Sequence, residues 1–473
     1  MRALCLISVC AWALVAGAGC SHADRMRPVA AAYQRGAYPK ATELLEPLLA
    51  DRRTSAKDRL LYELEAGAVY AAAGEAQRSM DALGFADEEM WRYLDTEPDV
   101  RVSEQAAAIL TNQTVVTYRG TTYDRIMCST YQALNHLARG DLEAAGVSLR
   151  RAYEWQRDAL DKHAREIETL EEKAREAGTS QRYDTERAMA DPRMKSGLDS
   201  AYGAIRDMKG YAEFAIPYTT YLQSVQQMMT GRRDAAAQAT VGFRKVAGML
   251  GESDRRYAED DARLAEQAST GGALEPTVYV LVESGMGPSL EEFKISIPLF
   301  IRQVPYVGAA FPVLRFHGGG TSGFTVRAGA ASYPSARLTD MDAVVAGDFN
   351  RRLPAIIAIT LASSGAKAVG TYFLQEAAGG GRNRDGAWAV ALGGMIYQLA
   401  TNSADLRIWT TLPKEVLYAR LPAPSDGLVS LDLGDGQRIG PLAVESSGVT
   451  LVHVRLPASG ATPAVRTMRF PAR

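Results

Sequence analysis

The sequence predicts an α+β multidomain protein, with an α-helical repeat array in its N-terminal half and a mixed α/β domain that ends in short antiparallel strands. Three observations lead there. A glycine followed five residues later by Ala or Ser recurs as Gly36/Ala41, Gly74/Ser79, Gly140/Ala145 and Gly231/Ala236. From Val278 onward, helical three-four spacing gives way to short apolar runs of strand length. At 473 residues, 47% hydrophobic and 23% charged, the chain is too long for one core of ordinary size and has the composition of a globular protein.

The helical half centres on Tyr131 to Tyr153, YQALNHLARGDLEAAGVSLRRAY, where Ala133, Ala145, Leu149 and Ala152 put small or apolar residues where two antiparallel helices must meet. Gly140 falls at the break between them, and the segment reads as a tetratricopeptide-type (TPR-like) helical hairpin. The register extends outward from each glycine. Seven residues before stand Val29, Gly67, Ala133 and Ser224, of which Val29 is the poorest fit; nine residues after stand Leu45, Leu83, Leu149 and Thr240. Twelve after come Leu48, Ala86, Ala152 and Phe243. One such hairpin cannot bury its own apolar face, so the hits belong to a single stacked array. The glycine spacings of 38, 66 and 91 residues leave room for insertions. One insertion is a long amphipathic helix over Val147 to Ala177; the run from Gly178 to Gly197 then loses periodicity and is expected to be a loop.

Such arrays take an extended peptide or a partner helix along a groove. Tyr131, Asn135 and Arg139 stand at i, i+4 and i+8 on one helix face, where they could offer stacking, amide hydrogen bonds and a carboxylate clamp. They are the expected partner-binding residues.

Residues 1 to 19 have the form of a secretory signal peptide: Arg2, an apolar run, then Gly17, Ala18 and Gly19 before Cys20. Cys20 is the expected lipidation site, since several acyl chains on one cysteine give stable anchoring. With Ser21 rather than Asp after it, the expected address is the outer membrane, facing the periplasm. Cys5 and Cys10 leave with the signal peptide, so Cys128 is the one remaining thiol, expected to be a small buried core residue. Lys plus Arg at 53 against Asp plus Glu at 55 gives a net charge of -2, which offers no electrostatic footprint for nucleic acid.

The helical domain with its long insertion is bounded at residues 20 to 270, and the α/β domain at 275 to 473. Expected strands are Val278 to Val282, FKISIPLFI, FPVLRF, LRIWTTL, EVLYARL, GLVSLDL and VTLVHVRL, with residues from about 405 on as a small antiparallel unit. Between them, Leu353 to Leu374 carries one charge, Lys367, and Gly386 to Ala404 carries none. Pro354 would suit a first helical turn, and a buried helical hairpin packed on the sheet is expected over membrane insertion.

No constellation for chemistry assembles. His317-Gly318-Gly319-Gly320 copies an esterase oxyanion loop but lacks a downstream Gly-x-Ser-x-Gly elbow. The five histidines are scattered singly, no cysteine pair exists, and neither a metal nor a cofactor is expected.

The chain resembles an uncharacterised family of bacterial lipoproteins that join a TPR-like helical half to an α/β half. The carrying residues are LLYELEAG (Leu60 to Gly67), YQALNHLARGDLEAA with LRRAYEWQ, VLVESGMGP (Val280 to Pro288) with its later IPL, and ADLRIWTTLP (Ala404 to Pro413). The resemblance implies an envelope location and a fold outline, and brings no catalytic residue. The expected function is a lipid-anchored envelope scaffold or adaptor, not an enzyme, that binds a protein or peptide partner. The alternatives are an envelope serine hydrolase using the HGGG loop and a membrane-inserting component of an export or pore assembly.

Overall fold

The four recurring glycines sit at four helix-to-helix turns. Gly36, Gly74, Gly140 and Gly231 have φ between 67° and 83°, the left-handed conformation that ends a helix without a Cβ penalty. At three of them the next residue donates back across the turn, Ala37 to Ala32, Glu75 to Tyr70 and Asp141 to His136, which closes orphan carbonyls of the first helix. The computed structural model describes residues 21–51, 57–95, 117–180, 187, 190–208, 210–301, 304–379 and 404–471. Cys20, the signal segment and residues 386–403 lie outside the described residues.

Helices α1 (His22–Gln34) and α2 (Tyr38–Ala50) form the first hairpin, and α3 (Arg59–Ala72) and α4 (Ala76–Asp95) the second. The third joins α5 (Thr122–Ala138) to α6 (Leu142–Ser180). After α7 (Pro192–Arg206) and a 3-10 turn (Ala212–Phe214), α8 (Pro217–Met229), α9 (Arg233–Met249) and α10 (Arg256–Ser269) complete the helical half. The small residue five places after each turn is buried every time: Ala41, Ser79, Ala145 and Ala236. The second hairpin packs tightly at Gly67, where a Cβ would lie 2.4 Å from the Leu83 side chain of α4. Gly67→Ala is therefore expected to lose about 1–3 kcal/mol to overpacking, only partly offset by the ~1 kcal/mol gain in helix propensity. Urea unfolding of the two chains measures it; equal midpoints would show that α4 can shift aside.

The sheet half begins with β1 (Thr277–Ser284), β2 (Ser289–Ile301), β3 (Val304–Arg315), β4 (Phe324–Ala328), β5 (Ala331–Pro334) and β6 (Ala336–Asp340). Helix α11 (Met341–Gly379) follows, then β7 (Glu415–Pro422), β8 (Leu428–Leu433), β9 (Arg438–Ala443), β10 (Val449–Leu456) and β11 (Ala464–Phe470). A five-stranded sheet has the order β11-β10-β1-β7-β6, β2 and β3 pair as a hairpin, and β5-β4-β8-β9 form a smaller sheet. β1 runs parallel to β10 and antiparallel to β7. Every residue of β1 and β10 is buried, as expected of strands covered on both faces.

The chain is thus mixed α/β, helices first and sheets after. One hydrophobic cluster runs from Leu60 through Tyr131, Tyr218 and Val278–Val282 to Phe470, so the two halves share a core. A second, smaller cluster packs α1, α2 and α3 together with Met286.

Four expectations are corrected. The loop expected from Gly178 to Gly197 contains the start of α7, because Asp191 accepts from the amides of Arg193 and Met194 and Pro192 opens the helix. Pro354 is interior to α11, which begins at Met341 after Asp340 accepts from the Ala343 amide. LRIWTTL is not a strand, since the amides of Thr410 and Thr411 bond to a helix carboxylate instead of a neighbouring strand. The terminal strands form no separate antiparallel unit: β7, β10 and β11 complete the sheet begun by β1. Among the described residues, no helix is long and apolar enough to cross a membrane.

Candidate functional site

On the central strands, alternation puts Leu281 and Glu283 of β1 on one face, and the parallel register sets His453 and Arg455 of β10 beside them. Arg466 of β11 is paired with His453. Four polar side chains therefore cross the middle of the sheet, between the apolar residues Val280, Val282, Val452 and Val454 of its two central strands. The helical array faces this stripe.

Glu283, 1% exposed, collects most of the contacts. Its Oε1 accepts from the Tyr218 hydroxyl of α8 at 2.8 Å and lies 3.1 Å from His453 Nε2. Its Oε2 accepts from the Tyr131 hydroxyl of α5 at 3.1 Å and lies 3.8 Å from Arg455 Nε. Arg455 also donates to the Tyr33 hydroxyl at 3.1 Å and to the backbone carbonyls of Glu283, Thr411 and Leu412. Arg466 donates to Asn135 Oδ1 at 3.1 Å and to the Ala71 carbonyl. The Asn135 amide in turn donates to Ser79 Oγ at 2.7 Å, and Ser79 donates to the Gly67 carbonyl. The cluster ties α1, α3, α4, α5 and α8 to three strands.

Burial acts to raise the Glu283 carboxyl, but the facing His453 outweighs it together with Arg455 and the Tyr218 hydroxyl, and holds it below the usual carboxylate range. Tyr131 and Tyr218 are pushed well above the ordinary phenol value, by burial first and the Glu283 charge second. Both therefore remain donors, and the group is a charged carboxylate held by neutral and cationic donors in a dry interior. It is built for holding two layers in register.

The structure brings together two of the three expected partner-binding residues and gives them a ligand within the chain. Tyr131 is 5% exposed and engaged by Glu283; Asn135 is fully buried and engaged by Arg466. Arg139 lies apart on the surface, where it donates to Gln77 Oε1 at 2.7 Å. The sheet occupies the face on which an external peptide was expected, so Tyr131 and Asn135 cannot meet one in this arrangement.

A carboxylate of different character holds the segment before β7. Glu65 of α3, 0% exposed, accepts from Thr410 N and Oγ1, both at 2.8 Å, and from Thr411 N at 3.1 Å and Oγ1 at 2.5 Å. Nearby, Arg407 is paired with Asp58 at 3.0 Å and Asp405 at 2.6 Å.

The HGGG loop packs against the end of β1. Ser284 Oγ accepts from the Thr321 amide at 3.0 Å and donates to its carbonyl at 3.2 Å, and a Cβ at Gly320 would lie 2.6 Å from that oxygen. His317 is half-buried, its pKa lowered by burial and then by Lys414. Lys414 is paired with Asp342. Cys128 is buried, its thiol directed at the Leu83 carbonyl at 3.4 Å and its pKa raised by burial. Among the described residues, no group of three His, Cys, Asp or Glu side chains is placed to hold a metal ion.

The sequence carried a signal for the buried stripe. In VYVLVES one charge sits in an otherwise apolar strand, and in VTLVHVRL two polar residues stand two apart, hence on one face. Comparison with family models, with curated proteins and with solved structures returns no match.

Proposed function

We propose that the chain is a lipid-anchored outer-membrane lipoprotein, held through Cys20 and facing the periplasm, that works as a scaffold or adaptor for a cell-envelope protein or peptide. Its helical half is read as a TPR-like array with inserted helices. The observation that supports this reading also relocates the docking surface. The array's inner face is filled by the chain's own sheet, while exposed apolar side chains stand on its outer helices: Val147 and Tyr153 of α6, 51% and 45% exposed, and Val241 of α9, 67% exposed. Lys245, one helical turn after Val241, places its ammonium 5.6 Å from the Tyr153 ring centroid, so α6 and α9 present a shared apolar and basic surface.

Crosslinked capture from cell envelopes, with the wild-type chain beside a Tyr153→Ala/Val241→Asp form, tests the reading. A discrete partner lost in the double variant, whose folding is checked by circular dichroism, is the expected result. The same partner retained would move the docking surface elsewhere, and no partner at all would overturn the scaffold reading. The hydrolase alternative would have to use Ser284, the serine beside the HGGG loop, which is buried with its Oγ engaged by the amide and carbonyl of Thr321, so the scaffold reading is preferred. Labelling of Ser284 by a fluorophosphonate in the native chain would favour it over the scaffold.

A further inference from the structure

The helical array begins at the residue after Cys20. Ser21 caps α1, its Oγ accepting from the Asp24 amide at 3.2 Å while the Asp24 carboxylate accepts from the Ser21 amide at 3.3 Å. The reciprocal box fixes the backbone from Ser21 onward. One residue later the chain is already in the core: His22 is 5% exposed and its ring lies 4.6 Å from that of Tyr62 in α3. Burial, with the positive charge of Arg407 next, lowers its pKa to about 3, so it stays neutral in the packed state. Met26, Val29, Ala32 and Tyr33 follow on the buried side of α1, and Tyr33 accepts from Arg455 in the middle of the sheet.

Resting on the acylation of Cys20 proposed above, we infer that the protein has no tether: the folded body is held directly against the leaflet that takes the acyl chains of Cys20. Two trans peptide units span at most ~7.6 Å between the Cα atoms of Cys20 and His22, which is all the slack between the lipidated residue and the core. A flexible linker of about 20 residues would instead allow an r.m.s. span of ~25 Å. The membrane-facing end is the N-terminal end of α1, where the exposed Asp24–Arg27 pair lies. Because α1 is locked into the second core cluster and to Arg455, the anchor restrains the whole sheet and array. Any partner must then be met at the membrane surface, since the body cannot swing away from it.

The test uses full-length acylated protein in phosphatidylethanolamine and phosphatidylglycerol vesicles that carry a headgroup nitroxide. A bimane is placed at Arg27→Cys in a Cys128→Ala background, and a second chain has a twenty-residue Gly/Ser segment between Cys20 and Ser21. Strong quenching in the direct chain that falls at least threefold on insertion is the expected result. Weak quenching in an acylated direct chain overturns the inference while leaving the anchor standing. Quenching that survives insertion also overturns it, since the body would then be docking through its own surface. Mass spectrometry of the N-terminal peptide separates these cases from loss of the anchor: an unacylated Cys20 removes both the anchoring proposal and this inference.

Discussion

Arg455→Met is expected to destabilise the protein by about 3–5 kcal/mol near pH 7, because it leaves Glu283 charged and buried with its guanidinium partner gone. The same change strips donors from the Tyr33 hydroxyl and from the carbonyls of Glu283, Thr411 and Leu412. The loss should depend on pH in a definite direction. The Glu283 pKa is lowered in the fold, so its favourable contribution is present above the unfolded carboxylate value and is lost as pH falls through the folded value. Without Arg455 that contribution shrinks, and Glu283 can escape its penalty only by taking up a proton. Urea unfolding should therefore show a larger gap between the two chains at neutral pH than in mild acid. If the single variant does not fold, Glu283→Gln/Arg455→Met removes both charges together and should recover part of the loss. A double variant no more stable than the single one would show that the geometry of Arg455, rather than charge pairing, holds the layers.

What was legible in the sequence follows the range of the interactions. The hairpin turns were readable because their cause is local: a glycine in the left-handed region, small residues at fixed offsets, and one buried face. The docking of the sheet on the array was not, because it depends on β1 pairing with β10, far along the chain, and neither strand names its neighbour. The polar stripe shows why this matters. Tyr131, Asn135 and Arg139 share one face in the sequence and are expected there to meet an external partner, but Tyr131 and Asn135 meet Glu283 and Arg466 of the chain's own sheet, 152 and 331 residues further on. LRIWTTL failed for a related reason. Its β-branched and aromatic residues have strand propensity, but propensity in a strand expresses fit to a neighbour, and the neighbour here is a helix carboxylate.

Glu65→Ala is expected to cost about 3 kcal/mol, since two amides and two hydroxyls of Thr410 and Thr411 lose their shared acceptor, those of Thr411 in the buried interior. Glu65→Gln is the more informative change. Burial raises the Glu65 pKa, and the hydroxyls and amides of Thr411 and Thr410 offset this only in part because none carries a charge. A carboxyl with a raised folded pKa binds more protons in the native chain than in the unfolded one, so its contribution to stability falls as pH rises from the unfolded value. The glutamine side chain has no such dependence. The loss on Glu65→Gln should then be smaller at about pH 7 than at about pH 4, opposite in sense to the Arg455→Met gap. Urea midpoints at the two pH values decide it: a loss that grows toward neutral pH would mean that four neutral donors hold the ionised carboxylate as firmly as the charged partners hold Glu283. The contrast separates two ways of fastening the sheet half to the array. One carboxylate is kept charged by cations beside it, and the other sits among neutral donors where its own charge works against the fold.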